Sequence, residues 1–181
     1  YCYNHLYQRL YSGKGQLIRR RSVDHVIREL RLLKDGGTRF IRFMDDLFIL
    51  QAEWVHEFAE AYRREIGLPF SCLVRANYVT EAVVDDLKRA GCHRIMMGIE
   101  SGSERLRVEV LKRRMSDETI IEAARIIRSA GIRLVTANIL AIPGGTLDDD
   151  WRTVDLNIRA GSSYGSASIL QPFPGTEIHD I

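Results

Sequence analysis

The stretch Arg94-Ile95-Met96-Met97-Gly98-Ile99 decides the fold class, because it is almost continuously apolar and ends abruptly in Glu100-Ser101-Gly102-Ser103-Glu104. A strand with this pattern is buried on both faces, since other layers cover both sides of the sheet. We therefore expect a central strand of a parallel sheet, with polar side chains at its carboxyl end.

Helices and further strands alternate on both sides of this stretch. Ser22, Thr80, Ser116 and Thr146 are suited to cap four amphipathic helices. Strands are predicted over residues 39–44, 70–74, 132–142 and 166–170. Residues 3–16 are predicted to form a loop or a short irregular helix. This order is typical of parallel strands joined by helical crossovers, and it fits both an open doubly wound sheet and a barrel.

Length and composition indicate one globular domain. The chain has 181 residues, of which 45% are hydrophobic and 28% charged, and it contains no apolar run long enough to span a membrane. The net charge of +2 does not favour nucleic acid as a partner. Cys2, Cys72 and Cys92 are odd in number and far apart, which predicts free thiols in a reducing, cytoplasmic location, with Cys72 and Cys92 packed in the core.

Charge is distributed unevenly near the start of the chain. The first 21 residues contain no acidic residue, and they include five cations: Arg9, Lys14, Arg19, Arg20 and Arg21. Such a segment is either a solvated loop or a surface that receives an anionic cofactor or substrate.

Polar residues lie at or near the end of every predicted strand. In a parallel α/β fold, ligands bind at the carboxyl ends of the strands, so these residues are the candidate binding groups. One such residue would be read as a turn or a cap, whereas five strand ends together predict a polar floor that could hold a zwitterion and a ribose. The candidates are Asp45, Asp46, Arg75, Asn77, Glu100, Ser101, Asn138 and Gln171.

The opening residues Tyr1-Cys2-Tyr3-Asn4 allow two interpretations. Cys2 is either a small apolar residue near a terminus or one ligand of a metal site.

Several motifs together carry a resemblance to a known family. They are Cys2-Tyr3-Asn4, Phe43-Met44-Asp45-Asp46-Leu47-Phe48, Gly98-Ile99-Glu100-Ser101-Gly102-Ser103, Ile142-Pro143-Gly144-Gly145-Thr146 and Pro172-Phe173-Pro174-Gly175-Thr176. In this order they resemble the radical S-adenosylmethionine (SAM) superfamily, and most of all its branch with an upstream cobalamin-binding domain.

The resemblance implies an α/β fold, a partial (β/α)6 barrel of the TIM type that lacks its first strand here. Residues 1–181 would form one core domain. The family holds a [4Fe–4S] cluster with three cysteines in the pattern C-x3-C-x2-C, and Cys2 matches the third of them. The first two would precede Tyr1, so this chain is expected to be a fragment that enters the motif partway.

The resemblance also implies roles for individual residues in binding SAM. Asp45 or Asp46 would meet the methionine ammonium group, and Arg113 would pair with the methionine carboxylate. Lys112 and Arg114 compete for that last role, and a solvated helix end would explain all three cations equally well. Glu100 and Ser101 would face the ribose or the carboxylate. Asn138 and the backbone around Ile142 would line the adenine, while Arg75 and Gln171 complete the floor.

The implied reaction is reductive cleavage of SAM to a 5′-deoxyadenosyl radical that attacks an unknown substrate, with flavodoxin or ferredoxin as electron donor. Two other functions stay open at this point. A barrel without a cluster could serve as a binding module, or Asp45, Asp46 and Glu100 could carry out acid–base catalysis without iron.

Overall fold

The computed structural model describes residues 2–16 and 18–180, and helices alternate with strands along them. In chain order the elements are α1 (Tyr3–Leu10), α2 (Val23–Asp35), β1 (Ile41–Arg42), α3 (Ala52–Glu65), β2 (Phe70–Val74), a 3-10 turn (Ala76–Tyr78), α4 (Glu81–Ala90), β3 (Cys92–Glu100), a π-helical turn (Leu106–Val110), α5 (Asp117–Ser129), β4 (Arg133–Leu140), α6 (Leu147–Ala160), β5 (Tyr164–Ile169) and a 3-10 turn (Glu177–Asp180). Within these residues, no helix is both long enough and apolar enough to cross a membrane.

The five strands form one parallel sheet in the order β1-β2-β3-β4-β5. Each strand lies beside its predecessor, so the order does not reverse as it does in a doubly wound sheet. The sheet is curled, with helices connecting the strands, and the predicted partial barrel is confirmed. The predicted central strand is β3, which pairs with β2 on one side and β4 on the other.

Helix ends follow the predicted capping residues. The side chains of Ser22, Thr80 and Ser116 each accept a hydrogen bond from the backbone N–H three residues later. Thr146 and Asp149 form a reciprocal capping box at the start of α6. That helix ends at Gly161, whose φ of 64° lies in the left-handed region that glycine adopts without strain.

The first predicted strand is shorter than expected. Residues 39–44 were predicted as a strand, whereas β1 covers only Ile41–Arg42. Phe43 still donates its N–H to Ser71 at 2.9 Å, but the chain then turns, and Phe48 returns to donate to Leu73 at 3.1 Å. The ring of Phe43 packs against other aromatic side chains, so the residue leaves the ladder for the core.

An aromatic group forms the core between α3 and the β1–β2 end of the sheet. Its rings belong to Phe43, Phe48, Trp54, Phe58, Tyr62 and Phe70, with neighbouring centroids about 5 to 6 Å apart. Phe58, Tyr62 and Phe70 are completely buried. The residues that follow β1 and β2 therefore extend from a buried aromatic core.

The opposite end of the sheet is more exposed. Strand β5 is the last strand of the described sheet, and Tyr164 and Ile169 on it are 65% and 70% exposed. Helix α6 carries apolar side chains on its outer surface, among them Leu147, Trp151 and Ile158. Beneath them, the contacts between β4 and α6 include hydrogen bonds between Asn138 and Asn157.

Candidate functional site

A cleft of about 1270 Å³ opens beside the carboxyl ends of the first three strands. Residues from the start of α1, from the segment before α2 and from the connections after β1, β2 and β3 line it. We call two parts of it the strand-end floor and the basic wall. The floor comprises Asp45, Asp46, Arg75 and Arg113, together with Glu100, which pairs with Arg113; the wall comprises Lys14, Arg19, Arg20, Arg21 and Lys112.

Cys2 lies at the cleft as the N-cap residue of α1, and its thiol is half-buried and free. A side-chain contact fixes this end of the helix to the floor, because Asn4 Nδ2 donates to Asp46 Oδ2 at 2.7 Å. The negative charge on Asp46 raises the pKa of Tyr3, and burial and Cys2 add smaller increases. Asp46 therefore lies close enough to the start of α1 to influence the residue beside Cys2.

Glu100 and Arg113 form a largely buried ion pair on the floor. Arg113 Nη1 lies 3.4 Å from Glu100 Oε1, and the two side chains are only 16% and 13% exposed. Arg113 Nη2 also donates to the carbonyl of Gly98 at 3.3 Å. A Cβ on Gly98 would lie 2.4 Å from Glu100 Oε1, so a larger residue at this position would force the ion pair to shift.

Arg75 completes the floor from the end of β2. It is half-buried, and its Nε donates to Asn77 Oδ1 at 3.1 Å. Asn77 in turn donates to the carbonyl of Arg114 at 3.3 Å, which links the connection after β2 to the segment that carries Arg113. These links hold the two arginines of the floor on neighbouring segments.

Arg20 attaches the basic wall to the floor. Its Nη2 donates to the carbonyls of Leu47 and Phe48 at 3.3 and 3.2 Å, and its guanidinium lies 4.6 Å from the ring centre of Trp54. Burial lowers the pKa of Arg20, and the charge on Asp45 partly offsets this effect. The wall is thus anchored on the turn that also carries Asp45.

Asn77 and Glu100 do not line the cleft themselves, and four further predicted site residues also lie outside its lining. Ser101 is 2% exposed, and its Oγ accepts a hydrogen bond from the N–H of Ser103. Asn138 is buried, and its Nδ2 donates to the carbonyl of Ser166 at 3.0 Å. Ile142 packs in a small apolar cluster, and Gln171 is exposed beyond β5.

Sequence reasoning missed two residues that organise the site. One is Asn4, through its contact with Asp46. The other is Arg107, which is completely buried and donates to the carbonyls of Ser101 and Met115 and to Asp117. Arg107 stands in a strongly charged stretch that looks solvated, so the sequence contains no signal for its burial. Its own carbonyl accepts the N–H of Arg113 at 2.7 Å, and it thereby positions the floor.

Thiols other than Cys2 belong to the core. Cys72 and Cys92 are buried, as predicted. A hydrogen bond with Cys92 and then burial raise the pKa of Cys72 well above its ordinary value, so this thiol stays protonated. Cys72 therefore does not supply a thiolate.

The cleft offers one cysteine thiol, which is enough to ligate one iron of an iron–sulfur cluster. A [4Fe–4S] cluster is held by several cysteine thiolates, and Cys2 is the one cysteine of the described residues that lines the cleft. Over residues 2–16 and 18–180, no three His, Cys, Asp or Glu side chains are grouped so that they could hold a metal ion. The remaining ligands would have to come from outside the described residues.

Comparisons with known proteins agree with the fold and with the resemblance. The sequence model of the radical SAM superfamily matches residues 1–156. An uncharacterized methyltransferase of Pyrococcus horikoshii is 27% identical over 91% of this chain and 36% of its own length. The cytidylyl-2-hydroxyethylphosphonate methyltransferase of Streptomyces wedmorensis is also 27% identical, over 91% of this chain and 32% of its own.

A solved structure shares the architecture. It is the radical SAM methyltransferase TsrM from Kitasatospora setae with cobalamin and a [4Fe–4S] cluster bound, with a TM-score of 0.77 and 20% identity over 88% of this chain and 33% of that one. The chain thus spans about a third of the length of these proteins. Because the family's sequence model covers most of its residues, the chain belongs to the radical SAM superfamily.

Proposed function

We propose that this chain is the SAM-binding core of a radical SAM methyltransferase that acts on a substrate still to be identified. The observation that carries the proposal is the convergence of Cys2, Asp45, Asp46 and Arg113 on one cleft at the strand ends, in a chain that belongs to this superfamily. The methyltransferase names of the two relatives support methyl transfer as the outcome.

The cofactors proposed are a [4Fe–4S] cluster, SAM and cobalamin. Cys2 would supply one cluster ligand. A cluster bound there would supply the single electron that reductive cleavage of SAM requires. Cobalamin would be held by another domain, as the structural similarity to TsrM with cobalamin bound suggests. Residues 1–181 are then one core domain of a longer cytoplasmic protein, with flavodoxin or ferredoxin as the proposed electron donor.

Residues of the strand-end floor would bind and orient SAM. The carboxylates of Asp45 and Asp46 are exposed at the cleft and can accept hydrogen bonds from an ammonium group. Arg113 and Arg75 are cations that line the same cleft, and they suit the methionine carboxylate. Glu100 would hold Arg113 in position and accept a hydrogen bond from a ribose hydroxyl.

Four further residues remain in the proposed SAM set with less direct roles. Ser101, Asn138 and Ile142 are buried, so they would act by shaping the backbone beside the adenosine moiety. Gln171 is exposed after β5 and could contact the cofactor with its side-chain amide.

The test uses the full-length protein, reconstituted anaerobically with iron and sulfide. We expect bound iron, SAM cleavage after reduction, and an isotopically labelled methyl group recovered in a product other than methionine. Cys2→Ala should reduce iron and SAM cleavage to the level of protein that was never reconstituted. Cys92→Ala removes a buried thiol away from the cleft and serves as the matched control.

Three results would contradict the proposal. They are wild-type protein that binds no iron after reconstitution, SAM cleavage that does not need iron, and equal loss of iron in the Cys2 and Cys92 variants. SAM cleavage without methyl transfer would keep the radical SAM core and reject the methyltransferase assignment.

A further inference from the structure

Cations outnumber carboxylates along the cleft. Its lining includes seven Lys or Arg residues and two Asp residues: Lys14, Arg19, Arg20, Arg21, Arg75, Lys112 and Arg113 against Asp45 and Asp46. The chain as a whole has a net charge of only +2, so the excess is concentrated here. A concave surface with charges of one sign focuses its field on the space inside.

Partners inside the protein account for only part of this charge. Arg21 pairs with Glu29 and Arg113 with Glu100, while Arg20 is held by backbone carbonyls and Trp54. Lys14, Arg19 and Lys112 are exposed, and in the described part of the chain their side chains make no ion pair or hydrogen bond. We call these three residues the open cations.

The open cations come from two separate segments that face one space. Lys14 and Arg19 precede α2, whereas Lys112 follows β3, and all three line the same cleft. Arg20 fixes the first segment to the turn after β1, so the wall is attached to the floor. The rings of Tyr7 and Tyr11, 6.2 Å apart, also line the cleft and offer a flat surface for an uncharged part of a ligand.

We propose that the open cations bind a phosphoryl or phosphonyl group of the substrate. This proposal rests on the proposed function, because it assumes that the reaction takes place in this cleft. It adds the chemical class of the substrate. A monocarboxylate carries one charge, which one or two cations satisfy. Three cations on two segments suit a group with more than one charge and several acceptor oxygens.

The floor and the wall would then divide the cleft between two ligands. Asp45 and Asp46 repel an anion and attract the ammonium group of SAM, while the open cations attract the substrate. The substrate would be oriented with its anionic end at the wall and the rest directed towards the floor.

The experiment measures the affinity of the full-length protein for inorganic pyrophosphate by calorimetry, without reductant, and compares it with the affinity for acetate. We expect binding of pyrophosphate and at least tenfold weaker binding of acetate, an order-of-magnitude expectation from charge. The triple variant Lys14→Gln/Arg19→Gln/Lys112→Gln should weaken pyrophosphate binding roughly tenfold or more.

A matched triple variant controls for net charge. Arg28→Gln/Arg63→Gln/Arg133→Gln removes three exposed cations that do not line the cleft. It should leave pyrophosphate affinity within about twofold, because salt screens exposed charges that make no contact with the ligand. Lys14→Arg/Arg19→Lys/Lys112→Arg keeps the charge and should retain most of the affinity, which tests the proposal even if the neutral triple variant folds poorly.

The proposal is overturned by equal weakening in the two neutral triple variants, by no binding of pyrophosphate to the wild type, or by acetate binding as tightly as pyrophosphate. Binding of an RNA oligonucleotide in place of both small anions would also reject it. Iron content and SAM cleavage, measured on the same preparation, report separately on the proposed function, so either proposal can fail while the other stands.

Discussion

The strand-end floor and the basic wall belong to one cleft, yet their charges are satisfied in different ways. On the floor, Arg113 and Glu100 pair at 3.4 Å and are mostly hidden from solvent. On the wall, Lys14, Arg19 and Lys112 are exposed and make no ion pair within the described residues. Pairing and burial hold Arg113 in one position, whereas the exposed, unpaired cations of the wall can move to meet a ligand. The difference teaches that the buried pair presents a preset geometry to a ligand, while the wall can adapt to the charge of a second one.

The largest effect on stability should come from breaking the ion pair on the floor. Arg113→Met leaves the Glu100 carboxylate buried without this partner, and we expect a loss of about 3 kcal/mol in the free energy of unfolding, measured by denaturant titration of the full-length protein. Arg125→Met, which removes an exposed cation that pairs with Glu122, should cost much less. Similar losses in both variants would erase the distinction between buried and exposed pairs.

A smaller effect is expected when the pair is displaced but keeps both charges. Gly98→Ala places a methyl group 2.4 Å from the original position of Glu100 Oε1, and overpacking of this kind costs about 1 to 3 kcal/mol. The same titration checks it. Gly165→Ala is the control, because its Cβ would lie 3.2 Å from Asn157 Oδ1, which requires only a slight adjustment. If the control were the more destabilised variant, the steric explanation of Gly98 would be wrong.

The contact between Asn4 and Asp46 should contribute still less. Their hydrogen bond of 2.7 Å is exposed, so a double-mutant cycle with Asn4→Ala and Asp46→Ala should give a coupling of about 1 kcal/mol at most. A cycle with Asn4→Ala and Asp45→Ala should give almost none, since no hydrogen bond joins those two side chains. Coupling in the second cycle but not in the first would show that Asn4 contacts Asp45, and the assigned contact with Asp46 would be wrong.

The smallest change is expected on the basic wall. Lys14→Gln and Arg19→Gln, made singly, should alter the free energy of unfolding by no more than about 0.5 kcal/mol, because neither side chain has a partner within the described residues. Thermal unfolding of each variant checks this. A loss as large as that of Arg113→Met would mean that the wall is structural, and the contrast with the floor would disappear.

Much of the fold could be predicted from local chemistry. Strand β2 occupies the predicted residues 70–74, because an apolar run between a glycine-terminated helix and a polar turn leaves few alternatives. Helix α6 begins directly after its predicted capping residue Thr146. The extent of β1 was predicted wrongly, since the alternating pattern of residues 39–44 does not reveal that Phe43 turns into the aromatic core.

Site residues could be predicted where the topology of the sheet alone determines their position. They could not be predicted where tertiary contacts determine it. Asp45 and Arg75 meet at one cleft because parallel strands end at the same edge of the sheet. Arg107 could not be found in this way, because its burial depends on carbonyls and a carboxylate that the fold brings to it. The basic segment was visible in the sequence, but its approach to Lys112 depends on how the chain returns towards the strand ends.

The exposed last strand has a practical consequence for work on this protein. Within the described sheet β5 pairs on one side only, with β4, and its other side presents a row of backbone donors and acceptors next to exposed Tyr164 and Ile169. Such an edge is a template for self-association. We expect residues 1–181 produced alone to aggregate through β5.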